Sequence, residues 1–254
     1  MSEKIIQVKD KYNYLPVSII KIQRNTKERS LRQNRKSNTW DKYYNESSRR
    51  TKSYFDADIS EFILKYYARG SRIIVDPFAG WGERHFYAKK FGYSYFGFDI
   101  SDEAIKYAKI NFNVDNILAD SRNIPLNNEM VDFCYTCPPY WNLEKYQVKD
   151  GQLSAYSTYS NFLLEYTKVI KEINRCLKQN SFCVFVVGDF RKKGIFYDFS
   201  TDTINIFKAN SFSIFDKVII DKSINYRVPI FLKQADKFGY TVKLHEYILV
   251  FQKI

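Results

Sequence analysis

Val75-Asp76-Pro77-Phe78-Ala79-Gly80-Trp81-Gly82-Glu83 follows a short β-branched run, Arg72-Ile73-Ile74-Val75, and precedes an amphipathic run ending at Phe91-Gly92. That order reads as strand, glycine turn, helix. Glycines at 80 and 82 let the backbone take positive φ and let a ligand approach where a Cβ would clash. The helix behind the turn aims its free N–H groups at whatever occupies it. Such a turn at the carboxyl end of a first parallel strand is a small-molecule cradle. A second apolar strand, Val131-Asp132-Phe133-Cys134-Tyr135-Thr136, runs into Cys137-Pro138-Pro139-Tyr140. The two loops are expected at neighbouring strand ends of one sheet, as two halves of one site.

Working outward, helix 83–90 leads to Tyr93-Ser94-Tyr95-Phe96-Gly97-Phe98-Asp99-Ile100, a strand ending in an acid. An acid about twenty residues past the glycines can accept from both hydroxyls of a ribose. The competing role for Asp99 is an acid at a helix N-terminus, because Ser101 begins the next helix. Ile117-Leu118-Ala119 is a third strand, closed by Asp120-Ser121, where an aspartate also suits a turn. The stretch 141–157 is polar and aromatic without clear period, a loop suited to closing over substrate. An amphipathic helix spans 159–177, with Phe162, Tyr166, Val169, Ile170 and Ile173 on its core face. The apolar strand 182–187 belongs in the sheet centre. A polar turn with three basic residues follows at 188–194, then a helix near 200–209 and strands near 212–220 and 244–252. The segment 221–243 is too polar for core and reads as a substrate-facing or plain surface loop. Upstream, a helix begins around Asp58 and is stopped by Gly70. This alternation predicts an α/β fold: a parallel sheet with helices on both faces and a terminal hairpin.

The chain has 254 residues and a net charge of +12. Residues 1–55 hold fourteen Lys and Arg against five Asp and Glu, which leaves +9 of that charge in the first fifth of the chain. A basic arm over 1–53 suits contact with phosphates, although a charged terminus is also often only solvated. Trp40, Tyr43 and Tyr44 within it suit stacking on bases or stapling the arm to the domain. A possible strand at 16–22 precedes the most basic stretch. No run of apolar residues is long enough to cross a membrane and no apolar signal core opens the chain, which argues for a cytoplasmic protein. Cys134, Cys137, Cys176 and Cys183 lie in apolar runs and read as reduced, mostly buried thiols. A single Cys-Xaa-Xaa-Cys pair makes a poor metal site, so no metal is expected. His85 and His245 lack sequence partners for acid–base work and read as structural.

Asp76-Pro77-Phe78-Ala79-Gly80 with Gly82, joined to Cys137-Pro138-Pro139-Tyr140, resembles the amino-group DNA methyltransferases. That family methylates N6 of adenine or N4 of cytosine. The resemblance runs from about Tyr54 to the C-terminus. It is closest to compact phage-type members, through Cys137-Pro138-Pro139-Tyr140-Trp141-Asn142-Leu143-Glu144-Lys145-Tyr146 and Val187-Gly188-Asp189-Phe190-Arg191. It implies a Rossmann-like, seven-stranded methyltransferase sheet with the last strand antiparallel, occupying 54–254 behind the basic arm. It implies S-adenosylmethionine as cofactor, bound by Asp76, Pro77, Phe78, Ala79, Gly80 and Gly82. Asp99 would meet its ribose and Asp120 the amino group of its adenine, with Ile100 and Ser121 also in the cofactor site. Phe55 would lie at its methionine end, although the same stretch also suits an ordinary helix start, and Cys137 would border it. The implied partner is DNA, with RNA or a binding-only protein as alternatives.

The target nitrogen is a poor nucleophile because its lone pair is delocalised into the ring. In the family its N–H bonds are held by the side chain before the first proline and by a backbone carbonyl of the motif. The tyrosine stacks on a base rotated out of the duplex. The catalytic set implied here is Cys137, Pro138, Pro139 and Tyr140. Cys137 departs from the family's usual Asp, Asn or Ser, and a thiol is the weaker acceptor. Its likeness to serine tilts the target toward cytosine. Three other readings stay open: the Pro138 carbonyl carries the work, the protein binds without catalysing, or the thiol attacks a ring carbon.

Overall fold

The computed structural model describes residues 18–21, 55–143, 151–222 and 228–254. The basic arm with Trp40, Tyr43 and Tyr44 lies outside the described residues except for 18–21, as do Ser53, Tyr54 and part of the 141–157 loop.

Strand β1 (Ile19–Lys21) precedes helix α1 (Ala57–Tyr66). The expected strand–turn–helix follows as β2 (Ile73–Asp76) and α2 (Glu83–Lys90), then β3 (Ser94–Asp99), α3 (Asp102–Phe112) and β4 (Ile117–Leu118). Next come β5 (Val131–Thr136), a short 3-10 turn (Leu153–Ala155), α4 (Tyr159–Cys176) and β6 (Leu177–Val187). A hairpin of β7 (Phe190–Lys192) and β8 (Ile195–Tyr197) leads to α5 (Phe199–Lys208), β9 (Phe212–Asp221), α6 (Val228–Phe238) and β10 (His245–Lys253).

One eight-stranded sheet runs β1-β9-β10-β6-β5-β2-β3-β4. All pairings are parallel except those of β10, which is antiparallel to both β6 and β9. The final strand is therefore reversed and inserted, as the family pattern implies. The chain builds outward from β2 to β4, then returns to lay β5 on the other side of β2. Loops leaving β2 and β5 diverge at that point, and a crevice opens between them.

The layers follow from period-two alternation. In β5 and β6, Cys134, Cys183, Phe185 and Val187 face one core with Phe162, Tyr166 and Ile170 of α4 and Phe199 and Phe207 of α5. Their neighbours Phe133, Tyr135, Val184 and Val186 face the other core, with Ile59, Phe62 and Ile63 of α1. Each buried Phe or Leu contributes about 1.5–3 kcal/mol, so continuous apolar strands are stable only when helices cover both faces. Four helix starts carry side-chain caps: Asp56, Ser101, Thr158 and Asp198 accept from Asp58 N, Ala104 N, Asn161 N and Thr201 N. All four cysteines are free thiols and three are buried.

Three expectations are corrected. The sheet has eight strands rather than seven, because Ile19–Lys21 adds in parallel to the outer edge of β9. The polar turn expected at 188–194 is the β7–β8 hairpin, closed by Lys193 and Gly194 at φ 48° and 82°. Two successive residues in the left-handed region give the turn whose twist matches a tight hairpin. The loop expected over 221–243 contains α6, whose Pro229 sits in the first turn, where no N–H is required.

Candidate active site

Asp76 closes β2 fully buried. Its carboxylate accepts from Phe78 N at 3.0 Å, Arg84 Nε at 2.6 Å and Thr136 Oγ1 at 2.5 Å, and from the Tyr95 hydroxyl. One side chain thus ties together β2, β3, β5, α2 and the glycine turn. Arg84 also donates to the Phe78 carbonyl. The turn is held from the other side by Ala79 N donating to Phe98 O at 2.8 Å and by Ser121 Oγ donating to Pro77 O.

Gly80 (φ 54°) donates its N–H to Asp99 Oδ2 at 2.8 Å, and Ser101 N donates to Asp99 Oδ1 at 2.8 Å. Asp99 thus orders the start of α3 and also faces the cleft. A carboxylate offers about four lone-pair sites, so each oxygen retains one for a further donor. Burial pushes the Asp99 carboxyl above its ordinary range, and the two backbone N–H bonds only partly offset this.

Asp120 accepts from Arg122 N at 2.9 Å and from Arg122 Nε at 3.0 Å. Arg122 Nη1 continues to the Tyr156 hydroxyl at 2.7 Å and Glu165 Oε2 at 2.5 Å. Burial would raise Asp120, but the Arg122 hydrogen bonds outweigh it and hold the carboxyl low. A Cβ on Gly151 would come within 2.9 Å of Arg122 Nη2, so this glycine lets the 151–155 segment settle on the pair.

Cys137-Pro138-Pro139-Tyr140 continues directly from β5. The Tyr140 ring meets Phe190 and Phe199 edge-on, both with centroids 5.9 Å away. Trp141 is buried and donates from Nε1 to Tyr156 O at 2.8 Å, which pins the start of the 141–157 segment to its end.

The two halves share one cavity of about 220 Å³. Its walls include Phe55, Pro77, Phe78, Ala79, Gly80, Asp99, Ile100, Asp120, Ser121 and all of 137–140. Two expected cofactor residues do not line it. Asp76 lies behind the turn with its acceptor positions engaged. Gly82 starts α2 at φ 96°, and a Cβ there would sit 2.6 Å from Ala108 Cβ, so this glycine serves the packing of α2 on α3. Trp81, Glu83, Arg84, Gln152, Lys222 and Glu246 also line the cavity; of these only Gln152 and Lys222 lie in segments expected to face substrate. Arg84 carried a faint signal, one cation in the first turn of the helix that follows the glycines. Lys222 carried only its place in the 221–243 segment and Glu246 carried no signal: the β9–β10 register pairs His245 with Asp221 and so brings the ion-paired Lys222 and Glu246 to the rim.

His85 stacks on Tyr95 at 4.5 Å and its Nδ1 lies 2.8 Å from Asn116 Oδ1; burial lowers its pKa. His245 Nε2 lies 2.8 Å from the Tyr247 hydroxyl. Neither histidine lines the cavity. Among the described residues, no group of three or more His, Cys, Asp or Glu could hold a metal, and no helix is long and apolar enough to cross a membrane.

The cavity unites a glycine turn, two carboxylates at successive strand ends and a Pro-Pro-Tyr loop across the switch point. Among solved structures, a SAM-dependent methyltransferase from Methanosarcina mazei is similar at TM-score 0.53 and 16% identity, over 76% of this chain and 97% of that one. A TehB-like SAM-dependent methyltransferase from Corynebacterium glutamicum is similar at TM-score 0.50 and 14% identity, over 91% and 100%. A geranyl diphosphate methyltransferase bound to geranyl diphosphate and sinefungin is similar at TM-score 0.53 and 13% identity, over 78% of each chain. These likenesses show the fold. No curated protein matches the chain. A general methyltransferase-domain family matches residues 75–185. The N6/N4 family described as DNA methylase matches residues 1–110 and 131–254, nearly the whole chain. With its Rossmann-like sheet, the chain belongs to the DNA methylase family of the N6/N4 amino-methyltransferase type.

Proposed function

We propose that the protein transfers a methyl group from S-adenosylmethionine to the exocyclic amino group of cytosine (N4) or adenine (N6) in DNA, on a base rotated out of the duplex. The observation that carries this reading is the single cavity onto which both the glycine-turn half and the Pro-Pro-Tyr half open.

The residues present fit the cofactor. Gly80 leaves open space where a Cβ would stand, with only Phe78 O as near as 3.8 Å. Asp99 is aimed by two backbone N–H groups and keeps acceptor capacity for a vicinal diol. Asp120 is held ionised by Arg122 and suits an amino group. Ile100 and Phe78 offer apolar wall between them. When bound, the cofactor supplies an electrophilic methyl on a sulfonium. The chain's own task is orientation: Tyr140, buttressed by Phe190 and Phe199, presents a ring to the flipped base. A motif carbonyl, Pro138 first, accepts one amino N–H, and Cys137 stands where the second acceptor is needed. Alignment of donor and acceptor within one cavity contributes a large share of the acceleration.

Nucleoside mass spectrometry of DNA and, in parallel, RNA incubated with the protein and S-adenosylmethionine tests the proposal. Methyl on N4 of cytosine or N6 of adenine in DNA, abolished by Tyr140→Ala, is the expected result. Absence of methyl from every DNA nucleoside while the cofactor binds would refute it.

A further inference from the structure

The β7–β8 hairpin is rooted in the catalytic loop. Phe190 meets Tyr140, Tyr197 meets Trp141 with centroids 5.2 Å apart, and Lys192 Nζ donates to Asn142 O at 2.5 Å. From that root the hairpin runs outward and its tip is exposed: Ile195 is 59% and Phe196 39% accessible. The end of α6 and the segment before β10 fold onto the same tip. The Arg191 guanidinium lies 5.2 Å from the Phe196 ring and 4.8 Å from the Tyr240 ring, and Lys243 Nζ lies 4.9 Å from Phe196. Phe238 stacks on Tyr240, with interplanar angle 2° and centroids 6.2 Å apart.

This arrangement is costly in isolation. Arg191 and Lys243 share the Phe196 ring, Lys237 stands over Phe238 and Lys193 closes the hairpin turn, and among the described residues none of the four joins an ion pair. Like charges held together repel, and exposed Ile195, Phe196 and Phe238 leave apolar area in water. A polyanion with apolar faces relieves both. The sugar-phosphate backbone supplies regularly spaced negative charge for the cations, and sugars for the rings to cover. The patch begins beside Tyr140, so a duplex lying on it is delivered to the cavity mouth.

We propose that the β7–β8 hairpin, together with the Phe238–Lys243 surface packed on it, is a docking site for the backbone of duplex DNA flanking the target base. This rests on the DNA reading above and adds the surface that holds the strand. Arg191 is braced by two rings, which fixes its fork for a phosphate at low entropic cost. Lys193, Lys237 and Lys243 neutralise neighbouring phosphates. Ile195 and Phe196 contact the sugars beside the gap left by a rotated base.

The test uses the full chain and a fluorescent duplex of mixed sequence, with anisotropy read across a sodium chloride series. A Lys193→Gln/Lys237→Gln/Lys243→Gln variant is compared with wild type, with unchanged melting and unchanged sinefungin affinity as controls. Loss of three phosphate contacts is expected to flatten the slope of log affinity against log salt by about 2–3. Affinity near 0.1 M salt should fall by about tenfold or more. Coincident slopes and affinities would overturn the proposal, even if DNA is methylated. A flattened slope with no methyl on any nucleoside would uphold the docking surface and overturn the catalytic reading. Displacement of the duplex by RNA at lower concentration, in wild type but not in the variant, would overturn DNA as the occupant.

Discussion

Arg84 Nε lies 2.6 Å from Asp76 Oδ2, and the two side chains are 8% and 0% exposed. Asp76 sits under the glycine turn, away from the cavity wall, and Arg84 joins it to that wall. Burial alone would lower the Arg84 pKa, and the Asp76 charge reverses this and raises it well above the ordinary value. Its guanidinium also lies 5.0 Å from the Phe55 ring, linking the turn to the start of α1. Removing one partner of such a pair leaves an uncompensated buried charge. Arg84→Met is therefore expected to cost about 3–5 kcal/mol in urea unfolding. Asp76→Asn in the same background should recover part of that loss, because the charge needing compensation is gone. An unchanged urea midpoint for Arg84→Met would refute the brace.

Two glycines of one turn separate into different tasks. At Gly82, a methyl would meet Ala108 Cβ at 2.6 Å in a backbone with φ 96°. Gly82→Ala should destabilise by about 1–3 kcal/mol through overpacking of α2 on α3, with further cost from the left-handed backbone. At Gly80, nothing lies nearer than 3.8 Å. Gly80→Ala should cost only about 1–2 kcal/mol for its positive φ, yet weaken sinefungin binding through the methyl placed in the cavity. Urea midpoints and calorimetric affinities for both variants would decide the matter, and the opposite pattern would return Gly82 to the binding site.

What was legible in the chain tracks how locally each feature is determined. Strands β2 and β5 and the second half of β6 are buried on both faces, so their apolar runs stand out without knowledge of neighbours. The joined glycine and Pro-Pro-Tyr motifs then point to one strand-end cavity. Asp76 was misplaced because its direction depends on Tyr95 and Thr136, which arrive from two other strands. The β7–β8 hairpin hid behind its charges, since only Phe190 of its six strand residues is buried. Helix α6 hid inside a longer segment that is polar on average: it buries Ala235 but leaves Leu232 and Phe238 exposed. Lys222 and Glu246 reach the rim through the register of the last hairpin, which no local pattern encodes.

Asp99 gives a pH signature. Burial holds its carboxyl above the ordinary aspartate range, so the native state keeps a proton that the unfolded chain has already released. Its stabilising share is full below the unfolded value and is lost as pH rises through the raised native value. Asp99→Asn keeps one acceptor for two N–H donors, Gly80 and Ser101, and should cost about 1–3 kcal/mol for the one left unpaired. Urea unfolding of wild type and Asp99→Asn across the acidic range should show their difference shrinking as pH rises through that window. Sinefungin affinity of the wild type should rise over the same window, because the ionised carboxylate is the better acceptor for hydroxyls. A pH-independent stability difference would show that Asp99 titrates alike in both states.

Gly188 is the sharpest probe of Tyr140. A Cβ at this position would stand 3.3 Å from the Tyr140 hydroxyl and 3.2 Å from Glu246 Cγ. Tyr140 cannot yield freely, because Phe190 and Phe199 hold its ring from the other sides. Gly188→Ala requires a shift of only a few tenths of an ångström, whereas the branched Gly188→Val forces the ring or the β10 rim to move. A displacement of about 1 Å at a positioning ring can cost about 100-fold in rate. We therefore expect kcat to fall mildly in Gly188→Ala and by about 100-fold in Gly188→Val. Sinefungin affinity should stay within about twofold, because the glycine turn and Asp99 lie across the crevice. If kcat survives Gly188→Val while Tyr140→Ala abolishes turnover, the hydroxyl end of the ring is free to move and only the ring face matters. If affinity for sinefungin falls in step with kcat, the two halves of the cavity are mechanically coupled, and Tyr140 shapes the cofactor site as well as the base site.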